Sequence, residues 1–220
     1  MKSFIKAIAI LLMIASMLSL CSCDREYDEA EILSAAAELV EKSYKLNELF
    51  YGKGLDYTTE GIGIYKKATD ESLGEYGIST VEDMKNMARE IFSDSYCEVI
   101  FASDVFSSVK LGDEIKNYTR YYQNSDSDGN PAGIMVKSNY DYPLIGEYVY
   151  HDDFRVVDVI EQVIVVRATV TARDDDGNET VVEVDISMIE EDDGWRLTTP
   201  TFVIYNGYSD LYDDLKNNKK

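Results

Sequence analysis

The chain has 220 residues, with 42 acidic side chains against 21 basic ones and a formal charge of −21. That balance excludes nucleic acid as a partner, because phosphate binding needs clustered Lys and Arg, and it favours a basic partner for any charge-steered encounter. Hydrophobic residues make up 45% of the sequence and only three prolines occur, so one sizeable core is expected, with no Pro/Gly/Ser-rich linker dividing the chain.

Lys2 and Lys6 precede an uncharged, almost wholly apolar run from Ala7 to Leu20. This is the pattern of a secretory signal, too short to read as a full membrane span. The run ends in Leu20-Cys21-Ser22-Cys23, which resembles the bacterial lipobox: an aliphatic residue at −3, a small residue at −1, then the cysteine. Cys23 fits, with Leu20 and Ser22 in place, whereas Cys21 would put the large Leu20 at −1. The departure is Cys21 at −2, where Ala, Ser or Thr is usual. The resemblance implies removal of residues 1–22 as a signal peptide and acylation (palmitate) of Cys23. The chain would then be a lipoprotein anchored to the extracytoplasmic face of the bacterial cytoplasmic membrane. Lipoproteins carry at least two acyl chains, enough for stable attachment. Asp24 resembles an inner-membrane retention mark of bacteria with two membranes. The mature chain would keep 198 residues and 19 basic against 42 acidic side chains, a formal −23. With Cys23 acylated, Cys97 stands alone, so no intrachain disulfide is expected.

Residues 23–28 read as a lipidated tether, 29–205 as a single domain and 206–220 as a polar tail with a helical turn at Leu211 to Leu215. Residues 29–50 read as a helix, because Ile32, Ala36, Leu39, Leu46 and Phe50, with Ser43 between, form one stripe. Residues 55–78 read as a long irregular connection with one short strand near Ile62 to Lys66. Thr80-x-x-Asp83 opens the next helix as a near capping box, with Met84, Met87, Ala88 and Ile91 inward. Ser93 restarts a shorter helix carrying Tyr96, Cys97, Val99 and Ile100.

Beyond residue 106 the pattern turns to strands. Tyr118 to Tyr122 and Ile134 to Val136 flank Asp126-Ser127-Asp128-Gly129-Asn130, and residues 154–160 form a further strand. Residues 163–173 and 180–189 both place even-numbered apolar residues on one face. To share a core as hairpin partners, paired positions must sum to an even number. A loop of Asp175, Asp176 and Gly177 meets this and puts Gly177 at the left-handed position of a bulged turn. The last strand reads as Trp195 to Ile204, with Trp195 and Leu197 inward.

Helices followed by a long antiparallel sheet predict an α+β domain, with N-terminal helices packed on a curved sheet. This order, and the stretch from Asp174 through Asp193-Gly194-Trp195-Arg196-Leu197, resembles the NTF2-like or cystatin-like class of small exported domains. More remotely the layout is similar to secreted inhibitors of bacterial DL-endopeptidases, which cut wall peptides; no functional residue carries over.

The candidate sites are few. Asp126-x-Asp128-Gly129 and Asp174-x-Asp176-Gly177 imitate part of a calcium loop, but each fails one position of the complete pattern, and ordinary hairpin turns account for both. His151 with Asp153 has the composition of a general-base pair; the alternative is an exposed strand start. Cys97 as a nucleophile would need His151, the only histidine. No HExxH, GxSxG, CxxC or zinc-ligand cluster occurs, and no metal, cofactor or catalytic residue is assigned. The tyrosines, 17 in number, are the most unusual feature. Tyr118, Tyr121, Tyr122, Tyr140, Tyr142, Tyr148 and Tyr150 suit a recognition surface, and equally suit half-buried strands. Three functions follow in order: a non-catalytic binding or inhibitory module for a basic exported protein, contacting it through these tyrosines with Asp152 and Asp153; a small-ligand or wall-fragment receptor with a helix–sheet pocket; and a pocket enzyme around His151 and Asp153.

Overall fold

The computed structural model describes residues 27–111, 114–117, 119–140, 147–173 and 177–202. Helix α1 runs Glu29–Tyr51. Asp28 caps it, its carboxylate accepting from the Ala30 N–H at 2.9 Å, which satisfies a donor the first turn leaves open. The expected stripe of Ile32, Ala36, Leu39, Leu46 and Phe50 is buried throughout. Ser43 is buried with it, its hydroxyl 2.7 Å from the Val40 carbonyl.

The segment after α1 departs from the irregular connection expected. Strands β1 (Tyr57–Ile62) and β2 (Tyr65–Ala68) form a hairpin, and helix α2 (Asp70–Tyr76) follows. The local signals of α2 are Thr69, which accepts from the Ser72 N–H, and Gly77 at φ 69°, an N-cap and a left-handed stop. The local signal of the hairpin is Gly63, at φ 61° in the two-residue turn between paired Ile62 and Tyr65. The hairpin's partner is strand β6 (Pro131–Lys137), where Lys66 pairs with Val136. Helix α3 (Val81–Ile91) carries the capping box in full: the Asp83 N–H donates to Thr80 Oγ1 at 3.1 Å, and the Thr80 N–H donates to Asp83 Oδ2 at 2.8 Å. Helix α4 (Asp94–Ala102) starts at the Ser93 cap. Its Val99 is exposed.

The remaining strands are β3 (Val109–Leu111), β4 (Glu114–Asn117), β5 (Tyr121–Ser125), β7 (Glu147–Tyr150), β8 (Arg155–Ile160), β9 (Val163–Arg173), β10 (Glu179–Glu191) and β11 (Gly194–Leu197). Among the described residues they make three antiparallel sheets: β1-β2-β6-β5, β11-β10-β9-β7 with β8 also on β9, and the pair β3-β4. The protein is thus an α+β fold with helices against antiparallel sheets, one of them strongly curled into a half-barrel.

The β9–β10 ladder has the predicted register, with Thr180 opposite Ala172, Val182 opposite Val170 and Met188 opposite Ile164. Gly177 has φ 81°, the left-handed conformation its turn position asks for. Asp175 and Asp176 lie outside the described residues. Strand β11 is shorter than the expected Trp195 to Ile204. Beyond Leu197 the side chain of Thr199, not a strand carbonyl, accepts from the Ser187 N–H at 3.0 Å, and Pro200 lacks an N–H for a ladder. Residues 203 and 204 lie outside the described residues, as does the tail at 206–220. One buried cluster joins Leu39 and Leu46 of α1, Met84 of α3, Ile134 of β6, and Ile164 and Val166 of β9. None of the described helices is long and apolar enough to cross a membrane.

Candidate functional site

Strands β7 and β8 lie end to end along the same edge of β9, and His151, Asp152, Asp153 and Phe154 are the step between them. The His151 N–H donates to the Thr169 carbonyl at 2.8 Å, and His151 Nε2 lies 2.8 Å from Thr171 Oγ1. Asp153 accepts from the Thr169 N–H at 2.8 Å and from its hydroxyl at 2.5 Å. Those two bonds hold its carboxyl below the usual carboxylate range. His151 and Asp153 thus both face β9, but each engages a different threonine, and Asp153 supplies the acceptor a missing strand residue would have supplied. Asp152 is exposed.

The tyrosine surface needs correction. Tyr121 is 1% exposed; its hydroxyl donates to the Leu49 carbonyl at 2.8 Å and accepts from the Leu55 N–H at 3.2 Å. Tyr148 and Tyr150 sit opposite Ala172 and Val170, on the inward row of β9, so the pleat turns them toward α1. The Tyr148 ring stacks on Tyr44 at 5.1 Å, and its hydroxyl accepts from Asn47 Nδ2 at 2.8 Å. The Tyr150 hydroxyl donates to the Thr201 carbonyl at 2.9 Å. Burial pushes the Tyr148 hydroxyl up to about 12. Tyr122 is half-buried, edge-on to Tyr65. Tyr121 therefore builds the interior rather than a contact surface, while Tyr148 and Tyr150 are half-buried against α1. Tyr118 and Tyr142, like Cys23, lie outside the described residues.

Cys97 is buried, its Sγ 3.5 Å from the Phe92 carbonyl, and burial raises its thiol to about 11, away from a reactive thiolate. The Asp126 carboxylate is engaged by its own turn, accepting from the N–H groups of Asp128 and Asn130 at 2.9 Å each. The second acidic turn, Asp174 to Asp176, lies outside the described residues.

Two features remain that sequence reasoning missed. The first is a row across the outer face of the larger sheet. Val149 and Val181 both pair with Thr171 and are 61% and 63% exposed. The neighbouring row holds Glu147, Arg173 and Glu179, joined by ion pairs. On the other side Glu183 pairs with Thr169 in the ladder and with the Arg155 guanidinium. An exposed apolar centre thus lies among ion pairs.

The second is a cleft of about 410 Å³ between the end of α1 and the smaller sheet, lined by Lys53, Asp56, Tyr57, Arg120, Lys137 and Tyr140 among others. Arg120 is 2% exposed. Its Nη1 and Nη2 donate to the carbonyls of Phe50 at 2.8 Å and Gly52 at 2.7 Å, where the negative end of the α1 dipole favours a cation. Its guanidinium lies 4.7 Å from the Tyr140 ring centre and 5.2 Å from that of Tyr121, a further source of attraction. Gly54, at φ 73°, leaves room for it: a Cβ there would stand 2.2 Å from both Arg120 Nη2 and the Tyr121 hydroxyl. No local sequence signal marks Arg120, because its partners lie about seventy residues earlier.

No known family model matches the chain, and no curated protein matches it.

Proposed function

We propose that this protein is a lipid-anchored, non-catalytic binding or inhibitory module at the outer face of the bacterial cytoplasmic membrane, of the NTF2-like or cystatin-like kind. Its partner on this reading is a basic exported protein such as a wall hydrolase. The observation that carries the reading is the row Val149–Thr171–Val181, its two valines exposed and set among the ion pairs of Glu147, Glu179 and Glu183 with Arg173 and Arg155. Apolar area supplies contact, and the net negative charge of the chain steers a cationic surface toward it. The contact acts by occlusion. A non-catalytic role is further supported by His151, Asp153 and Cys97, whose polar atoms hold the fold together.

The test is a pull-down from the exported-protein fraction, using mature protein with Cys23→Ser as bait at low and high salt. A basic protein retained at low salt, released at high salt and lost with Val149→Ser plus Val181→Ser is the expected result. Retention of nothing, or retention indifferent to both substitutions, would falsify the reading. A second reading, a receptor for a small ligand, is favoured by one observation, the cleft beside Arg120.

A further inference from the structure

The cleft inverts the charge of its chain. Among the described residues its lining holds Lys53, Arg120 and Lys137 against one carboxylate, that of Asp56, in a sequence with twice as many acids as bases. Arg120 is a fixed charge beneath it, pinned by the Phe50 and Gly52 carbonyls, and in a partly desolvated setting such a charge attracts an anion through its field without touching it. The neutral donors around the cleft are committed within the protein. The Tyr57 hydroxyl donates to the Ser138 carbonyl at 3.1 Å, the Ser138 hydroxyl to the Ile64 carbonyl at 2.8 Å, and the Tyr140 hydroxyl to Asp104 at 3.1 Å. What meets a ligand is therefore ammonium charge and aromatic faces. Lys53 lies 2.9 Å from Asp56 in a pair whose side chains are 68% and 59% exposed; such pairs are weak, so a ligand carboxylate can replace Asp56. The Lys137 ammonium stands 5.6 Å from the Tyr140 ring centre, placing charge beside a flat apolar surface.

We propose that this cleft binds a small organic anion: an anionic group between Lys53 and Lys137, carried on a flat apolar body that lies against Tyr57 and Tyr140. The volume is within the usual range for ligand sites. The proposal rests on the receptor reading and adds the ligand's chemical class to it.

The test is calorimetric titration of the full-length chain in non-ionic detergent with benzoate, benzamide and inorganic phosphate. Benzoate is expected to bind, benzamide at least about ten-fold more weakly. Lys53→Ala and Lys137→Ala should each weaken benzoate, and the double substitution should abolish it with the thermal melt unchanged. Phosphate should bind more weakly than benzoate, since it has no apolar body for the rings. Benzamide binding as tightly as benzoate, with both lost in Tyr57→Ala, overturns the anion while the receptor reading stands. Phosphate binding above benzoate overturns the apolar body. Benzoate held equally by the double variant is adventitious and overturns the site. No heat from any probe overturns the anion site and withdraws the observation that favoured a receptor.

Discussion

The β9–β10 hairpin and the segment from Gly52 to Gly77 are both parts of antiparallel sheets, yet they are specified in opposite ways. In the hairpin every alternate residue of β9 from Ile164 to Ala172 is buried, and the outward rows carry pairs such as Arg167 with Asp185 at 2.5 Å. Period, face and turn all state the same structure, and the register follows from the residues of the hairpin itself. In the earlier segment β1 is exposed along most of its length, and its fold depends on β6 and on Arg120, contributed by distant parts of the chain. Strands specified from within should lose stability in proportion to the apolar volume removed; a segment specified from outside should fail at the few points where it receives its distant partners.

The sharpest test of that contrast is Gly54→Ala. The added methyl would collide with Arg120 and Tyr121 at a left-handed φ, and displacing a buried, bonded guanidinium costs about 4 kcal/mol. Urea denaturation should show it, and a loss no greater than that of a surface substitution would break the comparison. Ile186→Ala in β10, where the side chain is 1% exposed, should cost about 3 kcal/mol through lost transfer and a residual cavity. Tyr121→Ala belongs with these as a folding variant, not as a probe of a contact surface.

Alkali gives a third, smaller effect. The Tyr148 hydroxyl is raised to about 12 by burial, so the folded state keeps its proton while the unfolded state loses it from about pH 10 upward. The contribution of Tyr148 is flat below that point, then declines as pH rises toward about 12, by roughly 2 kcal/mol. Denaturation midpoints across that range, with Tyr148→Phe flattening the slope, are the measurement. Thr80→Ala removes the reciprocal cap of α3 and should cost about 1 kcal/mol, read from the thermal midpoint. Arg167→Ala on the outer face should be the smallest change of all, within the scatter of replicate melts, because its pair with Asp185 is largely solvated. A large loss there would mean that the outer charges help to specify the sheet.

What was legible in the sequence divides along the same line. The α1 stripe, the Thr80–Asp83 box, the left-handed Gly177 and the even-numbered faces of β9 and β10 are local patterns, and each is present in the structure. The β1–β2 hairpin escaped because its strands are short and its partner β6 lies far along the chain. The tyrosines of β7 misled for a related reason: whether Tyr148 and Tyr150 face solvent depends on their register against β9, which four residues cannot declare. At the cleft, Lys53, Arg120 and Lys137 are scattered over 85 positions of sequence and converge only because α1 ends where β5 begins its ladder.

The two strands lying end to end on β9 have a consequence for association. An eleven-residue strand with a fully alternating apolar face is the kind of template on which another chain's strand adds. Here that edge is covered in two short lengths, with the Asp153 carboxylate bonded to Thr169 at the seam. An incoming strand that displaced one length would still meet the other, and at the seam it would meet a charge. The arrangement protects the protein against polymerising through its own most regular strand.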